Sequence, residues 1–216
     1  MYLPESFNES DRERILELMD QYGFATLVSW TGADRHLPEP MVSHLPLLVE
    51  RRPDGPVLVG HFARANPHAR LCDGQTPALA IFWGPHAYIS PSWYETTPAV
   101  PTWNYVVAHI HGRPAPVDGD ATRDIVARQV ENHERSRDAR WSAALLPPEF
   151  LGNQLQAIVG FRMSIDRIEA KFKLGQNRTS ADRAGTFAGL EREPDAASRE
   201  LAAFARRYWA RKSGPG

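Results

Sequence analysis

FATLVSW at residues 24–30, MVSHLPLLVE at 41–50 and PVLVGHFA at 56–63 decide the fold. Each run is short, rich in β-branched and large apolar residues, and bounded by turn formers. TGADRH (31–36) separates the first two and RRPDG (51–55) the last two. Connections this short leave no room for a crossover helix, so the strands pair antiparallel in a meander, not as βαβ units. Further strands read outward from there: ALAIFWG (78–84), HAYIS (86–90), WNYVVAHIHGRPAPV (103–117) and AIVGFRMSIDRIEA (157–170). In the last, Ile158, Gly160, Arg162 and Ser164 alternate with Val159, Phe161, Met163 and Ile165. Six or seven antiparallel strands with peripheral helices predict a mainly β, α+β architecture, a closed or nearly closed β-barrel.

The helices are read from caps and periodicity. Asn8 stands where it can cap a first helix, whose Ile15, Leu18, Met19 and Tyr22 share one face before Gly23. Asn66-Pro67 opens a short helix through Leu71. Residues 120–136 form a polar helix with a narrow apolar face of Ile125, Val126, Gln129 and Val130. A last helix begins near Asp195, with Leu201, Phe204, Ala205 and Tyr208 on one side and Arg199, Arg206, Arg207, Arg211 and Lys212 on the other. The basic side reads either as a solvated face or as a contact for DNA or an acidic partner.

Composition excludes more than it selects. With 25 basic and 26 acidic residues, overall charge gives no attraction to nucleic acid, so DNA binding needs a local patch. The single cysteine, Cys72, cannot form an internal disulfide, and with no apolar run near ~20 residues the expectation is a soluble, cytoplasmic protein with no membrane span. Walker-type, GxSxG and GxGxxG motifs are missing, which removes the P-loop, nucleophile-elbow and Rossmann classes. His109 and His111 share a strand face, but no third ligand stands at a metal-site spacing.

The chemistry concentrates between Gly60 and Tyr105. Eight of the 21 aromatic residues fall there, interleaved with Arg64, Asn66, Ser90, Ser92, Thr102 and Asn104. A core needs the aromatics but not so many hydrogen-bonding neighbours. A planar ring with a phosphate tail needs both, flat apolar walls and cationic or hydroxyl donors. Arg64 lies just before a helix start, where free backbone N–H groups also favour an anion. Lys171, Lys173, Gln176 and Asn177 form a second polar cluster in KFKLGQN (171–177). These demands are those of a flavin mononucleotide, with haem or another planar ligand as alternatives.

GHFARANPHAR, IFWGPHAYISPSWY, VPTWNYVVAHIHG and KFKLGQNR, together with the opening MYLPESF, resemble the signature blocks of the PaiB-type FMN-binding negative transcriptional regulators. The resemblance runs over roughly residues 1–190. More distantly, Gly60 to Ser90 is similar to the cofactor-phosphate region of pyridoxamine-phosphate-oxidase-like flavoproteins. The resemblance implies an FMN-binding split β-barrel over residues 1–194, with the helix of 195–216 packed on or beside it. It further implies a homodimer that holds FMN at the subunit interface. The cofactor-binding set it suggests is His61, Arg64, Asn66, Tyr88, Ser90, Trp103, Asn104, Lys171, Lys173, Gln176 and Asn177. Position 175 is Gly where many relatives carry Ser, so one hydroxyl donor is missing. Regulation of transcription is one implied role. A flavin-dependent oxidoreductase acting on a small molecule is the other, and no catalytic residue stands out for it.

Overall fold

A computed structural model of the chain describes residues 1–30, 39–138 and 141–213; the expected TGADRH turn lies outside them. The elements run β1 (Asn8–Glu9), α1 (Arg12–Gln21), β2 (Phe24–Trp30), β3 (Pro40–Pro46), β4 (Leu48–Glu50) and β5 (Val57–Ala63). Then come β6 (Ala78–Ile89), β7 (Thr102–Pro116), α2 (Gly119–Glu134), α3 (Pro148–Gln156), β8 (Ile158–Lys173), α4 (Ser180–Arg192) and α5 (Ala196–Ser213). The strands form one sheet in the order β3-β2-β6-β7-β8-β5-β4, with β1 added on β8. The pairs β1–β8, β2–β3, β2–β6, β4–β5 and β5–β8 are antiparallel. The mainly β, α+β expectation holds.

Contacts divide the chain into two compact units, residues 16–82 with 109–168 and residues 1–15 with 83–108 and 169–216; strands β6, β7 and β8 contribute to both. In the unit containing 16–82, Leu27, Leu58, Phe62, Phe82, Phe161 and Met163 are fully buried. Phe62 and Phe161 tilt together with centroids 4.9 Å apart, as aromatic pairs in cores prefer. In the other unit, Phe172 of β8 meets Phe204 at 5.7 Å and Tyr208 at 5.9 Å from α5. The Trp209 indole N–H donates to the Leu174 carbonyl at 3.1 Å, so the apolar stripe expected on the last helix is the one that docks.

Several boundaries differ from the sequence reading, each for a local reason. Asn8 does not cap α1; it pairs with Lys171 in β1–β8, and the Arg14 N–H donates to the Asp11 carboxylate at 3.2 Å instead. Residues 41–50 are two strands, because Leu47 turns inward and donates its N–H to the Gly23 carbonyl at 2.8 Å. Residues 78–90 are one strand and not two. Gly84 and Pro85 are consecutively buried where alternation predicts one exposed residue, so a local irregularity absorbs the proline without ending β6. The last strand runs on to Lys173, three residues past its expected end. Helix α4 has no clean apolar stripe for a sequence to reveal: its buried residues are Asp182, Thr186, Phe187, Gly189 and Leu190.

Candidate functional site

Among the expected site residues, His61, Arg64 and Asn66 fall in the unit containing 16–82, and the other eight in the unit containing 83–108. Each group has its own geometry.

Asn66 caps the short Pro67–Leu71 turn, its side-chain oxygen accepting from the His68 N–H at 3.0 Å. Its amide nitrogen donates to Ser43 Oγ at 3.0 Å, and Ser43 Oγ lies 2.9 Å from His68 Nδ1. His68 is fully buried, its ring 5.2 Å from Phe62, and burial lowers its pKa. Arg64, next to this turn, is exposed. Its Nε–H and one Nη–H donate to the carbonyls of Gln156 and Ile158, at 2.7 and 2.8 Å. Two of its five donors thus tie Arg64 to the α3–β8 junction, and Arg64 also lines a cleft of about 500 Å³ with Thr122 and Arg123. His61 Nδ1 lies 2.8 Å from Gln129 Oε1, and Gln129 Nε2–H donates to the Pro46 carbonyl at 2.7 Å.

In the other unit the aromatics converge as expected. Tyr88 and Trp103 meet edge to face at 6.4 Å, His86 lies 6.3 Å from Trp103, and Trp83 lies 6.5 Å from His86. Tyr88, Trp103 and Trp93 line a cleft of about 660 Å³ with Ser90, Ser92 and Ser198, within the ~300–1,000 Å³ range of small-molecule sites. Trp83, Tyr88 and Trp103 are about half exposed, which is unusual for residues with so much apolar area. Ser90 caps the Pro91–Trp93 turn, and Asn104 is buried within β7.

The lysines supply the electrostatics. Lys171 is buried, donates to the Tyr2 carbonyl at 3.1 Å, and lies over the Tyr2 and Tyr105 rings at 5.2 and 5.4 Å. Lys173 donates to Thr102 Oγ1 at 2.5 Å. Among the described residues neither lysine pairs with a carboxylate. Burial is the main cause that lowers the Lys173 pKa, followed by the charges of Lys171 and Arg178. Arg178, which the expected set omits, stacks over Tyr94 at 4.2 Å; its place in the KFKLGQNR block was the available signal. Gln176 is occupied by its own turn, accepting from the Leu174 N–H and donating to the Phe172 carbonyl, while Asn177 is exposed. Gly175 adopts φ +81°, a left-handed conformation that explains glycine at a position where serine would be strained. Among the described residues no group of three His, Cys, Asp or Glu side chains could hold a metal.

Residues 1–167 match the family described as "Putative FMN-binding domain". The chain is 33% identical over 202 residues to the Protease synthase and sporulation protein PAI 2 of Bacillus subtilis, covering 94% of this chain and 95% of that one. In structure it is similar to the FAD and heme binding protein of Mycobacterium smegmatis (TM-score 0.58, 19% identity), over 82% of this chain and 78% of that one. It is also similar to a flavocytochrome of Azotobacter vinelandii (TM-score 0.54, 12% identity), over 82% and 75% of the two chains. At these identities the structural likeness speaks to fold, and the fold is the expected split β-barrel.

Proposed function

The chain belongs to the family of FMN-binding domains that its first 167 residues match, and on that premise we propose that it is an FMN-binding homodimer. In this reading residues 1–194 are the flavin-binding domain, and the C-terminal segment, helical over Ala196–Ser213, docks on it. The observation that carries this reading is the lysine pair Lys171 and Lys173. Two ammonium groups held partly out of water with no carboxylate between them are an unbalanced charge. An anionic group of two charges relieves it, and a flavin mononucleotide brings one on a planar ring. Tyr88 and Trp103, about half exposed, offer flat surface for that ring, and Ser90 and Ser92 offer hydroxyls for its polar edge.

The homodimer is supported by an apolar sheet face. Phe24, Val42 and Trp30 point outward from β2 and β3 and are 70, 52 and 45% exposed, the kind of surface a partner covers. The regulatory role is carried by the resemblance to the PaiB-type regulators, and the Bacillus subtilis relative is named for protease synthase and sporulation. Part of the basic side of helix α5 is engaged within the protein, while Arg207, Arg211 and Lys212 are exposed. Arg199 is held by the carbonyls of Glu193 and Pro194, and Arg206 is bound by both oxygens of Glu191. The flavin reading is tested by titrating FMN and riboflavin into the cofactor-free protein and following flavin fluorescence. FMN must bind at least about tenfold more tightly, since charge-assisted bonds to its phosphate contribute ~1.5–3 kcal/mol. Equal affinities would remove the lysines from the site.

A further inference from the structure

The contacts of Gln129 fix more than its own position. A side-chain amide has one donor end and one acceptor end, and the Pro46 carbonyl, 2.7 Å from Gln129 Nε2, can only accept. The reverse orientation would set two carbonyl oxygens against each other, so Gln129 Oε1 must face His61, where it lies 2.8 Å from Nδ1. An acceptor at that distance requires a proton on Nδ1. In the neutral ring, Nε2 then carries a lone pair. Gln129 is buried and has both amide ends bonded, so this arrangement costs free energy to reverse. Nε2 itself has no protein partner among the described residues. Among the described residues Nε2 is not one of the buried side-chain atoms that lack a hydrogen-bond partner, and His61 is only half-buried, so Nε2 reaches solvent.

We propose that Gln129 is a positioning residue that fixes His61 as its Nδ1–H tautomer, leaving Nε2 as an acceptor for a hydroxyl or N–H donor on the bound ligand. The ligand half of this rests on the flavin reading above, since FMN carries both donor types on its polyol chain and ring. A lysine or arginine at position 61 could give only donors. A histidine locked this way accepts instead. Gln129 lies 68 residues from His61 in the chain, so only α2 packing against β5 brings it there.

Nitrogen-15 NMR of the cofactor-free protein at about pH 9, where histidines are neutral, reads the tautomer directly. The wild type must show the proton on Nδ1. Gln129→Met, which keeps the volume and removes the acceptor, must return His61 to the Nε2–H form that a histidine in water prefers. Gln129→Glu keeps an acceptor toward His61 but sets an oxygen against the Pro46 carbonyl, so it must keep Nδ1–H at lower stability, and the wild-type spectrum decides the tautomer should a variant not fold. On the same proteins, FMN titration must show Gln129→Met and His61→Ala each weakening FMN by about 3- to 10-fold, the contribution of one hydrogen bond. Nε2–H in the wild type overturns the lock whatever the flavin does. The expected tautomer with unchanged FMN affinity in both variants overturns the acceptor role. A wild type that binds no FMN sinks the flavin reading, and the NMR result still decides the lock by itself.

Discussion

Replacing Gly185 with alanine sets two effects of opposite sign against each other. In a helix interior glycine to alanine ordinarily stabilises by about 1 kcal/mol, through the backbone entropy of the unfolded chain. At Gly185 of α4, however, the new Cβ would stand 2.1 Å from the Trp93 carbonyl oxygen, well inside van der Waals contact. The obstacle is backbone, so no rotamer change relieves it. Nor can the chain near Trp93 simply retreat. Asp182 on the same helix accepts from the N–H groups of Glu95 and Thr96 at 2.9 and 3.0 Å, and from the Thr96 hydroxyl at 2.5 Å. Overpacking of this sort costs about 1–3 kcal/mol. The net expectation is a loss of up to about 2 kcal/mol, or up to about 8 °C in Tm for a chain of this length, and a deficit of about 1–3 kcal/mol against a helix glycine that gains freely. Gly152→Ala in α3 is the control, since its Cβ would meet nothing within 4 Å and only the helix gain remains. Urea denaturation followed by tryptophan fluorescence compares the two. A Gly185→Ala protein as stable as Gly152→Ala would refute the close packing of α4 on the Trp93 turn.

Three further expectations follow from the same physical reasoning. Lys173→Met should weaken FMN by about 10- to 100-fold with little loss of stability, because it removes a charge-assisted donor and leaves no buried carboxylate behind; fluorescence titration and a melting curve check both halves. Burial lowers the His68 pKa below its usual 6.5, so the unfolded chain takes up that proton first as the pH falls. Stability should be full above about pH 6.5 and fall below it by up to ~1.4 kcal/mol per pH unit until the folded ring protonates, a slope that His68→Gln removes in urea midpoints between about pH 8 and pH 5. Light scattering should give about twice the 24.2 kDa chain mass, and Val42→Asp, which places a charge in the apolar β2–β3 face, should return it to the monomer value.

Where the sequence was legible, one physical signal dominated. Short β-branched and apolar runs between turn formers located β2, β5 and β7, period-two alternation located most of β8, and the stripe of Leu201, Ala205 and Tyr208 located α5, because burial leaves an apolar trace. Where tertiary contacts overrode local preference, that trace was misleading. Gly84-Pro85 reads as a break and is a strand irregularity; Asn8 reads as a cap and is a strand residue. Helix α4 was illegible because Asp182, Thr186 and Gly189 share its buried positions with Phe187 and Leu190, and glycine at 185 and 189 records only that something passes close by. The aromatic cleft was readable as a concentration of Trp, Tyr and Ser. The individual bonds were not, since the pairing of His61 with Gln129 or of Lys173 with Thr102 depends on partners 68 and 71 residues away.

The claim that this split barrel is built around a flavin is tested most directly by one absorption spectrum. The purified protein is mixed with excess FMN, passed through a desalting column and scanned in the visible range. The account predicts the two flavin bands retained at about one flavin per chain, shifted from those of free FMN as the ring leaves water for the Tyr88–Trp103 surface. A protein that emerges colourless, or that retains added haem but no flavin, would contradict it.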